Sequence, residues 1–397
     1  MKSTVRYILL LCIGLTYSNV LWAQQLDTID FFKEPFVFDK SETPQIQIQG
    51  KTTEKSILDF YNAIDSGPYT RLISQLEAFK TEKRLNDWLY YQLVRKVSES
   101  ISPKADNYHR YTLYKWYLMN KSGYDARLAV GNDQIIFYIK NKEDISDIPF
   151  FLVDGQQFTC LNYHDYGKLF RQSDAYSPVS IFIPGATKDF SYKIAAMPEF
   201  KDDSYAVKNV NFQYKDKVYE FDIKVNDNIA SIFKNYPGVD FETYFNIPLT
   251  QVTYQSLIPV LKENVKGMNT KDGVDYLMRF TRYAFLYEND DINFGKEKRL
   301  SPEQTLLNNY SDCDDRAALF FFLVKELYNL PMVAILYPTH ITMAVQFEQK
   351  IGTAIKYEGQ YFSICEPTPQ GQNLNIGEVA DKYKHEKYEI VYHYKPR

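Results

Sequence analysis

The sequence predicts an α+β chain on three observations. Apolar residues recur at helical spacing between Ser56 and Met119 and again between Tyr254 and Tyr287. Short apolar runs bounded by turn residues fill much of the rest. Near the C-terminus one continuous apolar run, Ala317 to Val324, is followed by two short strand-like runs. With 397 residues and 45% hydrophobic side chains, the chain can build two or three units with sizeable cores. A net charge of −4 with no basic cluster argues against nucleic acid as a partner. Tyr (34) and Phe (27) suit strands and carbohydrate- or peptide-contacting faces, although aromatic cores account for most of them.

Residues 1–23 have the pattern of a secretory signal: Lys2 and Arg6, an apolar stretch from Tyr7 to Leu15, then Leu21-Trp22-Ala23. The stretch is short against the roughly 20 residues of a membrane span, so cleavage and a secreted or periplasmic location are expected. Leu11 before Cys12 is too large for a lipidation site. No second long apolar run follows, which predicts no membrane span in the mature chain. Residues 24–55, with Pro35 and Pro44, are expected to be an extended lead-in.

A first unit is expected over residues 56–170, with helices from Ser56 to Phe79, Leu85 to Ser100 and Tyr111 to Met119. Strands follow at Tyr124 to Val130, Gln134 to Ile139 and Phe150 to Val153. Residues 171–228 change texture to short alternating runs, Val179 to Ile183, Phe190 to Ala195, Val207 to Tyr214 and Lys217 to Val225, and predict a β-sandwich-like module. Residues 229–397 form the last unit. Its helices are Tyr254 to Glu263 and Gly273 to Tyr287, and Ser301-Pro302-Glu303-Gln304 is a helix start with a capping box.

The chemistry-bearing stretch is Asp312-Cys313-Asp314-Asp315-Arg316, which leads into the apolar run. A run without a polar stripe is a helix buried on most sides, and it places Cys313 in the first turn. There the dipole and unpaired N–H groups favour a thiolate and could cradle an oxyanion. Asp314 and Asp315 oppose that effect, and Arg316 offsets part of it. The helix should end near Asn329-Leu330-Pro331. Met332 to Tyr337 is then a buried strand, Pro338-Thr339 a turn, and His340 opens a second strand that runs to Phe347. Gly352 marks a hairpin before Tyr361-Phe362-Ser363-Ile364-Cys365-Glu366.

This order resembles the transglutaminase-like superfamily, whose papain-like core sets a Cys at a helix start and His and Asp on consecutive strands. The resemblance covers about the last third of the chain. It implies Cys313 as nucleophile, His340 as base and Glu366 of Glu366-Pro367-Thr368 as the acid of the family's Asp-Pro-Thr. The chain departs from the family in having Glu for Asp, and Ile341-Thr342-Met343 where an aromatic residue usually follows the histidine. The implied activity is thiol hydrolysis of a peptide or amide bond in a peptide, protein or peptidoglycan-like substrate. Acyl transfer to an amine and a silent envelope protein that binds peptide or glycan are the alternatives.

The first unit repeats the element order. Aligning Ala105 to Lys140 with Ser311 to Gln346 sets Asn107 at Cys313, Gln134 at His340 and, past a shorter hairpin, Asp154 at Glu366. That predicts a degenerate transglutaminase-like unit without nucleophile or base. His109 and His164 lie off these positions. Cys160, Cys313 and Cys365 leave at least one thiol unpaired, a Cys313–Cys365 disulfide being the structural alternative. No zinc pattern and no cofactor motif is present. Some transglutaminases bind calcium, but Glu288, Asp290 and Asp291 lack an EF-hand spacing and fit a solvated loop better.

Overall fold

The computed structural model describes residues 25–48, 50–171, 174–288 and 298–396. The expected leader, residues 1–23, and Asp290 and Asp291 lie outside these residues. The architecture is α+β, with two five-stranded antiparallel sheets. Among the described residues no helix is long and apolar enough to cross a membrane.

The lead-in is not merely extended. Its strands β1 (Leu26–Phe31) and β2 (Glu34–Asp39) pair as a hairpin that buries Phe31, Phe36 and Phe38. Helices α1 (Glu54–Asp65), α2 (Thr70–Glu82) and α3 (Asp87–Ile101) follow. Thr53 and Asn86 cap α1 and α3 by accepting N–H bonds from the first turn. The central helix of the first unit is α4 (Tyr108–Lys121), buried from Arg110 to Asn120.

The strands β3 (Ala126–Gly131), β4 (Gln134–Lys140), β5 (Ile145–Ser146), β6 (Phe150–Val153) and β7 (Gln156–Cys160) come next. Helix α5 (Tyr163–Tyr166) and the short β8 (Ser177–Pro178) complete the unit. Its sheet has the order β6-β7-β4-β3-β8. Leu128, Ile135, Phe137 and Ile139 face the main core, whereas Ala129, Ile136, Tyr138 and Phe158 pack under Phe170 on the other face.

The expected β-sandwich is absent among the described residues. Only β9 (Ala206–Tyr214) and β10 (Lys217–Val225) form, as a two-stranded hairpin. Val179 to Ile183 and Phe190 to Ala195 run without ladder partners, because their apolar side chains fill the first unit's core instead. The hairpin packs Phe212 against Tyr276 and Phe280, at 5.1 and 5.5 Å between ring centres, and so belongs to the second unit.

That unit comprises α6 (Ile229–Ile232), β11 (Gly238–Val239), α7 (Phe241–Phe245), α8 (Gln251–Asn264), α9 (Thr270–Tyr283), β12 (Leu286–Tyr287), α10 (Pro302–Leu307) and β13 (Tyr310–Ser311). The long buried helix α11 (Cys313–Tyr328) follows, with Asp312 as N-cap and Asn329 as a left-handed C-cap. The strands β14 (Met332–Tyr337), β15 (His340–Val345), β16 (Ala354–Tyr357), β17 (Gln360–Cys365) and β18 (Glu389–Tyr394) form a sheet of order β16-β17-β15-β14-β18. Met332, Ala334, Ile341 and Met343 face the main core. Val333, Ile335 and Tyr337 face Leu374, Ala380 and Tyr383.

The two sheets therefore share one connectivity. In each, a buried helix precedes a tight hairpin, a second hairpin pairs with its inner strand, and a last strand closes the outer edge. Gly131 opposes Gln134 as Tyr337 opposes His340. The tight turn of the second hairpin is Asp154-Gly155 in the first unit and Glu358-Gly359, not Gly352, in the second, and all four residues have positive φ.

Candidate active site

Three elements converge where α11 begins. Cys313 is the first helical residue, His340 opens β15 and Glu366 follows the last residue of β17. His340 Nε2 lies 2.8 Å from Glu366 Oε2, and both side chains are buried. The Glu-Pro-Thr run has a local reason: the backbone N–H of Thr368 donates to Glu366 Oε1 at 2.9 Å, so each carboxylate oxygen has a partner. The buried Arg282 holds the same loop through the carbonyls of Glu366 and Leu374.

The cysteine stands differently from the sequence expectation. Its thiol donates to Asp314 Oδ1 at 3.5 Å, not to His340, and the N–H of Ile341, the residue after His340, points at the sulfur. Burial first, then the carboxylates of Asp314 and Asp312, push the thiol well above its ordinary range. Arg316 does not offset this. It is fully buried and donates to the carbonyls of Thr281, Arg282 and Phe285, 2.8 to 3.0 Å away, which ties the end of α9 to α11. The N–H groups of Asp314 and Asp315 are taken by the Asp312 cap at 3.0 and 3.3 Å, so the helix start does not present them to an oxyanion.

Several neighbours carry no local sequence signal. Tyr383 stacks on the His340 ring at 4.8 Å and 9°, and Tyr337 stacks on Tyr383 at 4.9 Å. Tyr383 thus stands against the imidazole although no aromatic residue directly follows the histidine. Arg299 donates from Nε to Asp314 Oδ2 at 3.2 Å. Cys160, Cys313 and Cys365 are free, so the alternative disulfide is not formed. Among the described residues no cluster of metal-ligating side chains occurs.

In the first unit the three aligned residues do not converge. Asn107 caps α4 through the N–H of Arg110 at 2.9 Å, as Asp312 caps α11, so Tyr108 occupies the place of Cys313. Gln134 opens β4 as expected but turns to the Leu169 carbonyl and to Tyr176. Asp154 is a hairpin-turn residue. The residue after the second hairpin that corresponds to Glu366 is Asn162, because Tyr138 pairs with Cys160 as Ala344 pairs with Ile364. The fully buried Asn162 bonds Tyr108 Oη at 2.9 Å, the Phe137 N–H at 2.9 Å and the Ile135 carbonyl at 2.8 Å. Tyr108 in turn donates to Asp165 at 2.9 Å.

No family model, no curated protein and no solved structure matches the chain.

Proposed function

We propose that the chain is a secreted thiol hydrolase of transglutaminase-like type, cleaving a peptide or amide bond through a thioacyl intermediate on Cys313. The observation that carries this reading is the buried 2.8 Å contact between His340 and Glu366 beside a cysteine that opens a buried helix. Glu366 engages Nε2, which leaves Nδ1 to take the thiol proton. The sulfur then attacks the carbonyl carbon, and the C–N bond breaks as His340 returns the proton to the leaving amine. Water, deprotonated by the same imidazole, attacks the thioester and releases the carboxylic acid and the thiol. For this sequence the thiol must turn from Asp314 to the imidazole when substrate binds, a tightening common at sites that are poorly aligned when empty.

A silent envelope protein that binds peptide or glycan is the second reading, favoured by the thiol's high pKa and its bond to Asp314. One experiment separates the readings. The protein is incubated with a panel of peptides and amides, with and without a fluorescent primary amine, and the mass of Cys313-containing fragments is followed. Turnover with a transient thioester on Cys313, lost in Cys313→Ala and His340→Ala, supports hydrolysis. Amine incorporation on the same thiol redirects the reading to acyl transfer. No turnover and no adduct, with identical iodoacetamide profiles in the parent and His340→Ala, sinks both enzymatic forms.

A further inference from the structure

The hairpin of β9 and β10 has two edges, and only one of them is closed. Its loop is the pair Lys215-Asp216, so Tyr214 and Lys217 face each other as a hydrogen-bonded pair, and the residues of β9 alternate from there. Ala206, Lys208, Val210, Phe212 and Tyr214 direct their backbone groups to β10. Those of Val207, Asn209, Asn211 and Gln213 point away from it. On β10 the outward N–H of Lys224 is taken by the Ser256 hydroxyl of α8, at 2.9 Å. On β9 none of the outward N–H or C=O groups has a partner among the described residues.

The open edge is one wall of a groove of about 760 Å³. Its floor is a stripe of α9, Asp275, Arg279 and Tyr283, which recur at every fourth residue and so share one side of the helix. Asn373 and Asn375 form the far wall and are held in place. Arg279 donates to both, at 2.9 Å to Asn375 Oδ1, and Tyr283 Oη donates to Asn373 Oδ1 at 2.9 Å. The groove is therefore formed before a ligand arrives.

We propose that this groove binds an extended peptide segment as a third strand on β9, with backbone hydrogen bonds to Asn211 and Gln213 and with polar, uncharged side chains against the asparagines of the far wall.

Three observations carry the assignment. A row of backbone donors and acceptors that repeats every two residues, about 6.8 Å, matches the same groups of another extended chain. The edge also lacks the usual safeguards, since no charge, proline or bulge interrupts it from Asn209 to Tyr214. The groove, finally, has no spare charge: Arg279 pairs with Asp275 at 3.3 Å and Lys215 with Asp272 at 3.4 Å. The Asn211 side chain and the Asn373 amide nitrogen, in contrast, have no partner among the described residues.

Other occupants fit less well. An anion would find no unpaired cation in the groove. A sugar would meet the free amides but not the two-residue repeat of the edge. A second copy would have to bring in its own β9 edge, which lies behind the same far wall. The stripe on α9 ends at Tyr283, beside Arg282, whose guanidinium bonds the carbonyl of Glu366. The groove thus borders the loop that carries Glu366, but docking needs no reactive thiol, so the inference goes beyond the hydrolase reading and survives its failure.

Magnetic resonance titration of the full chain with a capped octapeptide of alternating threonine and asparagine tests it. The comparators are the same peptide with all its amides N-methylated, which has no backbone donors, and a chitin tetrasaccharide. Saturable shifts and slowed hydrogen exchange are expected at the amides of Asn211 and Gln213, and N-methylation should weaken binding about tenfold or more. Asn211→Pro removes an outward N–H without touching the ladder to β10 and should weaken binding to a similar degree. Asn211→Thr keeps the N–H and should stay within about threefold of the parent. The methylated peptide decides the matter even where Asn211→Pro lowers the melting temperature. The proposal is overturned by no shift at either amide up to millimolar peptide, by equal binding of the methylated peptide, or by a loss in Asn211→Thr as large as in Asn211→Pro. Tighter binding of the tetrasaccharide, or a dimer of the parent that Asn211→Pro dissociates, overturns it as well.

Discussion

Replacing Asp314 by Asn should make Cys313 more reactive, since the amide keeps an acceptor oxygen and removes the negative charge. The charge dominates. Asp314 Oδ1 lies 3.5 Å from the sulfur, and two unit charges at that separation repel by about 5 kcal/mol at an effective dielectric of about 20 and about 1 kcal/mol in water. Arg299, 3.2 Å from the other carboxylate oxygen, cancels part of this. A net relief of about 1.4 kcal/mol is therefore a conservative figure, and it raises the thiolate population tenfold at any pH below the thiol's pKa.

The sign follows from the raised thiol pKa. Below it, the reactive thiolate is a minority that grows with pH, and removing a repelling charge shifts the profile to lower pH. A more acidic thiol is also a weaker nucleophile, with a Brønsted coefficient of about 0.4–0.5, so the gain in alkylation rate is about three- to fourfold. The assay is the second-order rate of iodoacetamide labelling at Cys313 between pH 7 and 10. Arg299→Gln should move the rate the other way, since it strips Asp314 of its compensating cation. If Asp314→Asn left the rate unchanged or slowed it, the carboxylate would not be what holds the thiol protonated, and burial alone would have to explain it.

The remaining predictions concern the base, the buried lysine and the first unit. Glu366→Gln removes a charge-assisted bond of about 1.5–3 kcal/mol and should lower turnover of any substrate found by roughly 10- to 150-fold; a loss under threefold in steady-state kinetics would mean that Glu366 does not orient His340. Lys115 is fully buried, its ammonium makes no hydrogen bond, and burial lowers its pKa to about 7 from 10.5. The unfolded chain holds that proton up to about pH 10.4, so the charge destabilises the fold fully below pH 7 and progressively less towards pH 10.4, by an amount on the order of 5 kcal/mol at most. Lys115→Met should accordingly raise the melting temperature most at pH 6, with the advantage fading by pH 10; a lower melting temperature at pH 6 would show that the Tyr111 ring, 4.3 Å away, over-compensates burial. Asn162→Ala should cost about 1–3 kcal/mol in denaturant unfolding, because it strands the Phe137 N–H while the Ile135 carbonyl keeps the Tyr166 hydroxyl as a donor, and the labelling profile of Cys313 in the folded state stays that of the parent.

How much of this was legible depended on whether the signal was local. The helix from Cys313 to Tyr328 and the strands at Met332 and His340 follow from an apolar run, an asparagine that tolerates left-handed backbone and a two-residue turn, all of which act within a few residues. The capping box at Ser301 and Gln304 was visible for the same reason. The β-sandwich failed because alternation indicates a face to bury and does not name the partner: Phe190, Tyr192 and Ile194 are buried without a ladder. Asp154 was mistaken for the counterpart of Glu366 because an acidic residue near a hairpin is also what a left-handed turn selects, and only strand pairing distinguishes the two. Tyr383 and Arg299 lay beyond reach, since each meets the site across an irregular segment.

The two halves show what the shared topology provides by itself. In the first, the polar Asn162, placed just after the strand that ends at Cys160, reaches Tyr108 in the helix's first turn; in the second, Glu366, at the matching place after Cys365, reaches His340. In the first half this corner is closed: Tyr108 joins Asn162 to Asp165, and Lys104 pairs with Asp165 at 2.5 Å. Here Tyr108 and Asn162 satisfy each other, with the buried Lys115 amine 5.9 Å from the centre of the Tyr108 ring. In the second half the same corner holds a histidine and a carboxylate in mutual contact and a thiol bound only weakly to a neighbouring carboxylate. Stability alone does not call for that arrangement, because a buried hydrogen-bonded pair of ionisable groups is often no better for the fold than apolar packing of the same volume. The tension at Cys313 is thus the feature that the first half lacks, and it is the place where the physics of the fold and the proposed chemistry pull in different directions.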